Sequence, residues 1–177
     1  RSPPLVMTIY ERDSDRHFLD LPSILQRLLQ QLDKVWTVQI ITHHEDLEPC
    51  FLQRTMEQTS MFLTTHGFQS TSMLFLPPRA VIMEIFPYKY FKPSYINLAK
   101  QLSLHHSWCQ NQVPTSFSRE VLRLVPQTWC MGSNRCRTLA RGDSVAVVDE
   151  DMRRIVQTAV DVQMQRLPPI SPIFHNR

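Results

Sequence analysis

The sequence predicts an α/β fold in which a Rossmann-like parallel sheet is covered by helices on both faces. Short segments rich in β-branched and apolar residues alternate with segments of helical periodicity along residues 1–108. Such alternation is typical of parallel sheets, whose successive strands are joined by crossover helices. Hydrophobic residues make up 42% and charged residues 20% of the 177 residues, which suits one globular domain with a sizeable core.

The first strand, helix and strand establish this alternation. Leu5 to Tyr10 is β-branched and apolar and predicts a strand, which a polar turn follows. Leu21 to Leu32 places its leucines on one stripe of a helix. Val35 to Thr42 is again rich in β-branched residues and predicts the second strand.

The alternation continues through two further strands. We predict a helix over Glu48 to Gln58, whose proline is tolerated in the first turn, and then a short strand over Met61 to Thr65. Two prolines stop a short helix over Thr71 to Leu76, and the fourth strand follows over Ala80 to Phe86. A proline opens the next helix, Pro93 to Leu104.

After residue 108 the alternation of predicted strands and helices ends, so we divide the chain into four parts. Residues 1–108 form the Rossmann-like core, and residues 109–144 form an irregular excursion that is polar and contains prolines and cysteines. Residues 145–167 supply a final strand at Val145 to Val148 and a helix with an acidic first turn, which suits the helix dipole. Residues 168–177 form a tail.

Charge and hydropathy argue against two classes of partner. The formal net charge of +3, with no run of lysine or arginine, is too small to indicate a nucleic-acid surface. The apolar runs at Ala80 to Met83 and Val145 to Val148 are too short to span a bilayer. The chain begins at Arg1 without a signal-peptide pattern, and we therefore expect an excised piece or a processed product.

Four cysteines and two histidine pairs have the residue types of a metal site but not its spacing. Cys50, Cys109, Cys130 and Cys136 do not form the two close pairs that zinc sites use. A disulfide among the last three, or free thiols, are the alternatives. The pairs at residues 43–44 and 105–106 are interpreted as solvated loops, because adjacent side chains diverge along an extended chain.

Chemically distinctive residues follow the third and fourth strands, at the edge of the sheet where open α/β proteins bind ligands. His66 and Gly67 end the third strand, and Glu84 lies near the end of the fourth. The next helix opens with hydrogen-bonding side chains, namely Gln69, Ser70, Thr71 and Ser72. Free N–H groups there could hold a phosphate, and Glu84 could accept from the hydroxyls of a ribose. The pattern indicates a nucleotide site; the alternative is a turn glycine followed by ordinary N-caps.

Three short motifs in this region resemble glycosyltransferase family 61. The family reads approximately His-Gly-Ala-Gly-Leu-Thr-Asn, then Phe-Leu-Pro-Pro-Gly-Ala, then a strand that ends Glu-Ile-Phe-Pro. This chain has His66-Gly67, then Phe75-Leu76-Pro77-Pro78 followed by Ala80, and then Glu84-Ile85-Phe86-Pro87. Order, spacing and strand–helix context agree. The resemblance covers residues 4–108, with a weaker similarity over residues 149–167.

The resemblance implies a GT-B architecture, in which two Rossmann-like halves enclose a cleft. Family members include protein O-mannose and EGF-domain N-acetylglucosaminyltransferases and plant xylosyltransferases, which are inverting, use UDP-sugars and work in the endoplasmic reticulum or Golgi lumen. By this resemblance the chain is the C-terminal, donor-binding half, and an N-terminal half of the same protein binds a glycan or glycoprotein acceptor. The sugar would be N-acetylglucosamine, xylose or arabinose, with no cofactor beyond the donor.

The resemblance also assigns roles to an arginine-rich turn and to His66. Arg12 and Arg16 occupy the place of the family's Arg-rich turn and would contact the diphosphate, since a guanidinium fork suits phosphate. His66 would offset the charge of the leaving diphosphate. We predict no required metal, because no Asp-X-Asp metal motif is recognised, and Asp13, Asp15 and Asp20 are interpreted as part of a solvated mixed-charge turn.

Two departures from the family pattern support an alternative interpretation. Phe68-Gln69 stands where the family has Ala-Gly, and Arg79 stands where it has glycine after Pro-Pro. A glycine lets the backbone approach a diphosphate closely or adopt a positive φ. The alternative is a non-catalytic member that keeps the fold as a scaffold or interaction module. A dinucleotide oxidoreductase is disfavoured, because three glycines cannot supply the Gly-X-Gly-X-X-Gly motif.

Overall fold

The computed structural model describes residues 4–42 and 48–167 and shows a five-stranded parallel sheet. The strands in chain order are β1 (Leu5–Glu11), β2 (Trp36–Thr42), β3 (Met61–Thr65), β4 (Val81–Phe86) and β5 (His105–Gln110). Their order across the sheet is β2-β1-β3-β4-β5, and every neighbouring pair is parallel. This topology confirms the predicted Rossmann-like α/β fold.

Helices connect the strands and continue beyond the last one. The α-helices of the described residues are α1 (Leu21–Gln31), α2 (Pro49–Glu57), α3 (Ser94–Gln101), α4 (Gln127–Gly132), α5 (Asn134–Arg141) and α6 (Asp149–Gln163). A first 3-10 helix spans Phe68–Phe75 and a second spans Phe117–Leu124. No helix in the described part of the chain combines the length and the apolarity that a membrane crossing requires.

Each face of the sheet packs against its own layer of helices. On one face, Met7, Leu63 and Met83 are fully buried among side chains of α1 and α6. On the other face, Phe62 and Ile82 are buried among side chains of α2, α3 and the first 3-10 helix. Each such side chain contributes about 1.5–3 kcal/mol through burial, so the two layers fix the sheet and the edge at which its strands end.

The segment at residues 109–144, predicted to be irregular, instead contains three short helices. The second 3-10 helix, α4 and α5 lie here, and a disulfide between Cys130 and Cys136 joins α4 to α5. Leu122 and Ala140 pack with Phe86, so this helical segment covers the carboxyl end of β4. Helices of only six to eight residues make too few turns to show a periodicity, and for this reason the sequence analysis missed them.

A second difference concerns β5, where His105 and His106 were interpreted as a solvated loop. The structure instead pairs His105–Gln110 in parallel with β4, and this strand continues past the predicted boundary at residue 108. The segment has few apolar residues because it is the half-exposed edge of the sheet. Edge strands of this kind lack the apolar run that marks a buried strand.

The strand predicted at Val145 to Val148 is wrong. Val145 forms only an isolated bridge with Phe18. The Val145 N–H donates to the His17 carbonyl, and the Leu19 N–H donates to the Val145 carbonyl. Val145 and Val147 are nevertheless buried in the core beside α1 and α6. Their apolar character therefore reflects burial of an extended connection and not pairing within the sheet.

The other element predictions hold to within a few residues, except that the helix expected from Thr71 is a 3-10 helix that begins at Phe68. Of the apolar stripe expected on the last helix, Met152, Ile155 and Ala159 are buried. The histidine pair at residues 43–44 and the predicted tail at residues 168–177 lie outside the described residues.

Candidate functional site

The candidate site lies at the carboxyl edge of the sheet, where β1, β3 and β4 end side by side. The turn after β1, residues 12–17, carries two arginines and is called the arginine turn below. His66 and Gly67 follow β3 directly and lead into the first 3-10 helix. The parallel pairing of β3 with both β1 and β4 brings these segments together.

Three flexible side chains end close to the position that a Cβ on Gly67 would take, so a larger residue here would have to displace them. The φ of Gly67, 170°, is ordinary extended backbone, so conformation does not demand glycine. A Cβ at this position would lie 2.5 Å from Gln69 Oε1, 2.9 Å from Arg12 Nη1 and 3.0 Å from Arg16 Nη1. Two guanidinium groups from the arginine turn therefore converge on one backbone position at the end of β3.

Glu11 and His66 hold the arginine turn in place. The Glu11 carboxylate accepts hydrogen bonds from the backbone N–H groups of Arg12, at 2.8 Å, and Phe18, at 3.1 Å. It thereby closes the turn at both ends. Arg16 is buried, adopts a left-handed φ of 66° and donates from Nη1 to the His66 carbonyl at 2.8 Å. Because a left-handed arginine is strained, these contacts must offset that strain.

The arginine turn contains Asp13 and Asp15 as well as its two arginines, and Asp15 partly offsets the charge of Arg16. Among the described residues, neither Arg12 nor Arg16 forms an ion pair with an acidic side chain. The Nε atom of Arg12 is buried and makes no hydrogen bond within the same residues. Burial, together with the like charges of Arg12 and Arg141, lowers the pKa of Arg16 to about 10. An anion bound here would relieve both the repulsion and the missing hydrogen bond.

A cleft of about 700 Å³, called the first cleft, opens beside these arginines. Its lining comprises Arg12, Asp13, Ser14, Asp15, Arg16, His17, Thr138, Arg141, Gly142 and Ser144. A second cleft of about 370 Å³ lies between residues 90–93 and the α4–α5 pair, and Thr138 and Arg141 line both clefts. Helix α5 thus supplies a third arginine that the sequence analysis missed. Its signal was present in the repeated arginines of Asn134–Arg141, but that segment was interpreted as irregular.

Behind His66 lies a buried hydrogen-bond network centred on Glu84. Oε1 of Glu84 accepts from His66 Nδ1 at 2.9 Å and from Ser70 Oγ at 2.7 Å. Oε2 accepts from His106 Nε2 at 2.7 Å. The register pairs Thr64 with Glu84 and Ile82 with His106, so Glu84 on β4 and His106 on β5 share one face of the sheet, and His66, which follows β3, joins them there.

Glu84 does not have the exposed position that the sequence analysis expects of a ribose ligand. Its side chain is 0% exposed, and its partners are His66, Ser70 and His106. Burial alone would raise the pKa of Glu84, but the hydrogen bonds from the two histidines and Ser70 outweigh it and place the pKa below its usual value. Glu84 therefore remains an anion that orients His66.

Glu84 holds the imidazole of His66 at Nδ1, and aromatic rings pack around it. It stacks on Phe86 with a centroid distance of 4.5 Å, and Tyr90 and Tyr95 approach at 5.5 and 5.3 Å. A carboxylate can only accept hydrogen bonds, so His66 Nδ1 carries the proton that Glu84 binds. The other nitrogen, Nε2, makes no hydrogen bond to the residues that the structure describes. It is thus the atom of His66 that remains for chemistry.

The remaining predicted residues lie in the first 3-10 helix and are largely engaged by the protein. Gln69 Nε2 donates to the Thr65 carbonyl at 2.6 Å and to Thr65 Oγ1 at 2.9 Å, while Gln69 Oε1 accepts from Arg12 Nη1 at 2.8 Å. Ser70 binds Glu84, Thr71 Oγ1 donates to the Phe68 carbonyl at 2.7 Å, and Ser72 is buried. The Ser70 hydroxyl thus supports Glu84 from behind, while the Thr71 hydroxyl binds within its own helix.

Asp13 and Asp15 have the Asp-X-Asp spacing, which the sequence analysis missed. Both are exposed and line the first cleft beside Arg12 and Arg16. Within residues 4–42 and 48–167 no group of three or more His, Cys, Asp or Glu side chains is arranged to hold a metal ion. The guanidinium groups of Arg12 and Arg16, which line the same cleft, would also repel a metal cation bound here.

Comparisons with known proteins give a partial relationship. No protein-family model matches the chain. The chain is 30% identical over 83 residues to the protein O-linked-mannose beta-1,4-N-acetylglucosaminyltransferase 2 of Tetraodon nigroviridis, a match that covers 46% of this chain and 14% of the relative. The chain is therefore similar to a glycosyltransferase over about half its length and spans a small part of that relative. Arg79, which stands at a family glycine, has a left-handed φ of 70°, the conformation that favours glycine.

Proposed function

We propose that this chain is the donor-binding half of an inverting, UDP-sugar-dependent glycosyltransferase. The observation that carries the proposal is the convergence of Arg12 and Arg16 on Gly67, with Arg141 lining the same cleft. Guanidinium groups that form no ion pair with the described residues, at the carboxyl edge of a parallel sheet, suit a diphosphate. The similarity to an N-acetylglucosaminyltransferase supports glycosyl transfer as the class of reaction.

In this proposal the diphosphate of the donor binds in the first cleft. Arg12, Arg16 and Arg141 bind its oxygens and offset the negative charge that grows on them as the bond to the sugar breaks. His66 is buried next to Gly67 and is not among the residues that line the first cleft, so in this proposal its Nε2 acts on the same charge from beside the cleft while Glu84 holds Nδ1. Such electrostatic stabilisation acts without a metal ion, and none is required in this account.

The remaining parts of the proposal rest on the family resemblance. A second Rossmann-like half in the same protein completes a GT-B cleft and binds a glycan or glycoprotein acceptor. The transferred sugar is N-acetylglucosamine, xylose or arabinose. The reaction takes place in the lumen of the endoplasmic reticulum or Golgi, an oxidising compartment in which the disulfide between Cys130 and Cys136 is stable.

One observation favours a second candidate, a non-catalytic scaffold that keeps the fold. Gln69 occupies the space over Gly67 and binds Arg12, so the anion site is partly filled by the protein itself. A sugar-nucleotide turnover assay on the protein with both halves separates the two candidates. We expect transfer that falls at least a hundredfold in His66→Ala, as removal of a stabilising donor does elsewhere. Absence of transfer with every UDP-sugar, in a folded protein that contains both halves, favours the scaffold.

A further inference from the structure

The side chain of Gln69 fills the place that a ligand oxygen would take above Gly67. Its Oε1 lies 2.5 Å from the position of a Cβ on Gly67, where the Nη1 atoms of Arg12 and Arg16 lie at 2.9 and 3.0 Å. Gln69 is itself buried. Glycine at residue 67 therefore leaves a space at the meeting point of two guanidinium groups, and a side-chain oxygen occupies it.

The partners of Gln69 fix which end of its amide faces the arginines. Nε2 donates to the Thr65 carbonyl, which can only accept, at 2.6 Å. Oε1 accepts from Arg12 Nη1, which can only donate, at 2.8 Å. A reversed amide would place two donors together and two acceptors together. The group presented to the arginines is consequently a carbonyl oxygen, which is a hydrogen-bond acceptor of the same kind as a phosphate oxygen but without its charge.

The hydrogen bond between Gln69 and Arg12 brings no negative charge to the arginines and does not satisfy all of their N–H groups. A neutral oxygen satisfies one N–H of Arg12, while Arg12 Nε stays buried without a partner among the described residues. A phosphate oxygen would bring charge as well as lone pairs, and charge-assisted hydrogen bonds are roughly twice as strong as neutral ones. An anion can therefore compete with Gln69 for the same position.

We propose that Gln69 Oε1 is an internal substitute for a phosphate oxygen, so that a diphosphate must displace Gln69 from Arg12 before it reaches Gly67. This inference rests on the proposed function, since the displacing ligand is the diphosphate of the donor. Gln69 then sets the affinity of the site, and its replacement by a smaller residue opens the site. The chain differs from the family glycine at this residue, and the difference makes the contact a property of this protein.

Calorimetric titration of the chain with inorganic pyrophosphate, and separately with UDP, tests the inference. Gln69→Ala removes the competing oxygen and should bind pyrophosphate about tenfold more tightly than the wild type, which is roughly 1.4 kcal/mol. Gln69→Glu places a carboxylate against Arg12. Because this carboxylate competes more strongly than the amide, the variant should bind pyrophosphate more weakly than the wild type. Gln53→Ala, at an exposed position of α2, is the matched control and should leave the affinity unchanged. Thermal unfolding of each variant verifies that it is folded.

The outcomes separate the inference from the proposed function. Equal or weaker pyrophosphate binding by a folded Gln69→Ala variant overturns the inference, because Gln69 then does not compete with the anion. Lack of pyrophosphate binding by both the wild type and Gln69→Ala overturns it as well. Tighter pyrophosphate binding by Gln69→Ala upholds the inference. If neither protein then binds UDP at millimolar concentration, the inference stands and the nucleotide-donor function fails.

Discussion

At the scale of single residues, Glu84 shows how a buried charge can organise a site without touching a ligand. Three donors from His66, Ser70 and His106 surround its carboxylate, which is the arrangement that makes burial of an anion tolerable. Gly67 and Gln69 show the complementary case, in which a missing Cβ provides space at the surface of the site. Each residue has a role that its neighbours in space define.

Glu84→Gln should destabilise the protein at neutral pH and not at acid pH. The folded-state pKa of Glu84 lies below the ordinary 4.5, so its stabilising contribution is present above about pH 4.5 and is lost as the pH falls through the folded pKa. Gln also turns an amide donor toward one of the three donors, and we expect a loss of about 1–3 kcal/mol at pH 7.

Urea unfolding of the wild type and Glu84→Gln between pH 7 and pH 3 measures this difference. Glu57→Gln, an exposed glutamate at the end of α2, is the control and should show a small effect at every pH. The free-energy gap between Glu84→Gln and the wild type should shrink below about pH 4.5. A gap that stays constant down to pH 3 contradicts the ionised, hydrogen-bonded state of Glu84.

At the scale of elements, the α4–α5 pair holds Arg141 against the arginine turn. The disulfide between Cys130 and Cys136 spans a sequence separation of 6 and ties two short helices together. Closing so short a loop contributes about 2 kcal/mol in the chain-entropy account. Helices of six and eight residues are marginal by themselves, so the disulfide and the packing on Phe86 keep α5 in position.

Thiol counting tests this arrangement of cysteines. Cys50 is exposed and Cys109 is buried, and burial together with the neighbouring Asp151 raises the pKa of the Cys109 thiol to about 12. We expect one thiol to react with Ellman's reagent in the native protein at pH 8, two in denaturant and four after reduction, and Cys50→Ser to abolish the native reaction. Three or four reactive thiols in denaturant without a reductant would refute the disulfide.

The sequence predicts the central elements because their residues carry local signals. β1, β3 and β4 are mostly apolar and are rich in the residues that buried parallel strands require. β5 is an edge strand whose pairing depends on β4, and Val145 and Val147 are apolar because they are buried against two helices. In both cases the structure is decided by contacts distant in the chain, which local patterns do not contain.

The site divides in the same way between local and distant information. His66, Gly67 and the arginine turn follow predicted strand ends, so topology alone places them together. The participation of His106 and Arg141 depends on the register of an edge strand and on the docking of α5. The burial of Glu84 also follows from these elements, because His106 on β5 and Ser70 on the first 3-10 helix cover it.

At the scale of the whole molecule, the fold gathers three arginines, together with Asp13 and Asp15, at one edge of the sheet. The net charge is only +3, yet Arg12, Arg16 and Arg141 share the first cleft. Repulsion between like charges destabilises the folded state, and a bound anion would relieve this repulsion. The central claim is therefore that this cleft binds the diphosphate of a nucleotide.

Calorimetric titration of the chain with UDP tests this claim most directly. Arg141→Ala and Arg135→Ala form a matched pair on α5, since Arg141 lines both clefts and Arg135 is exposed outside them. We predict that UDP binds the wild type and Arg135→Ala equally, and that Arg12→Ala and Arg141→Ala each weaken binding about tenfold or more, roughly 1.4 kcal/mol. No binding at millimolar UDP, or the same affinity in all four proteins, would contradict the account.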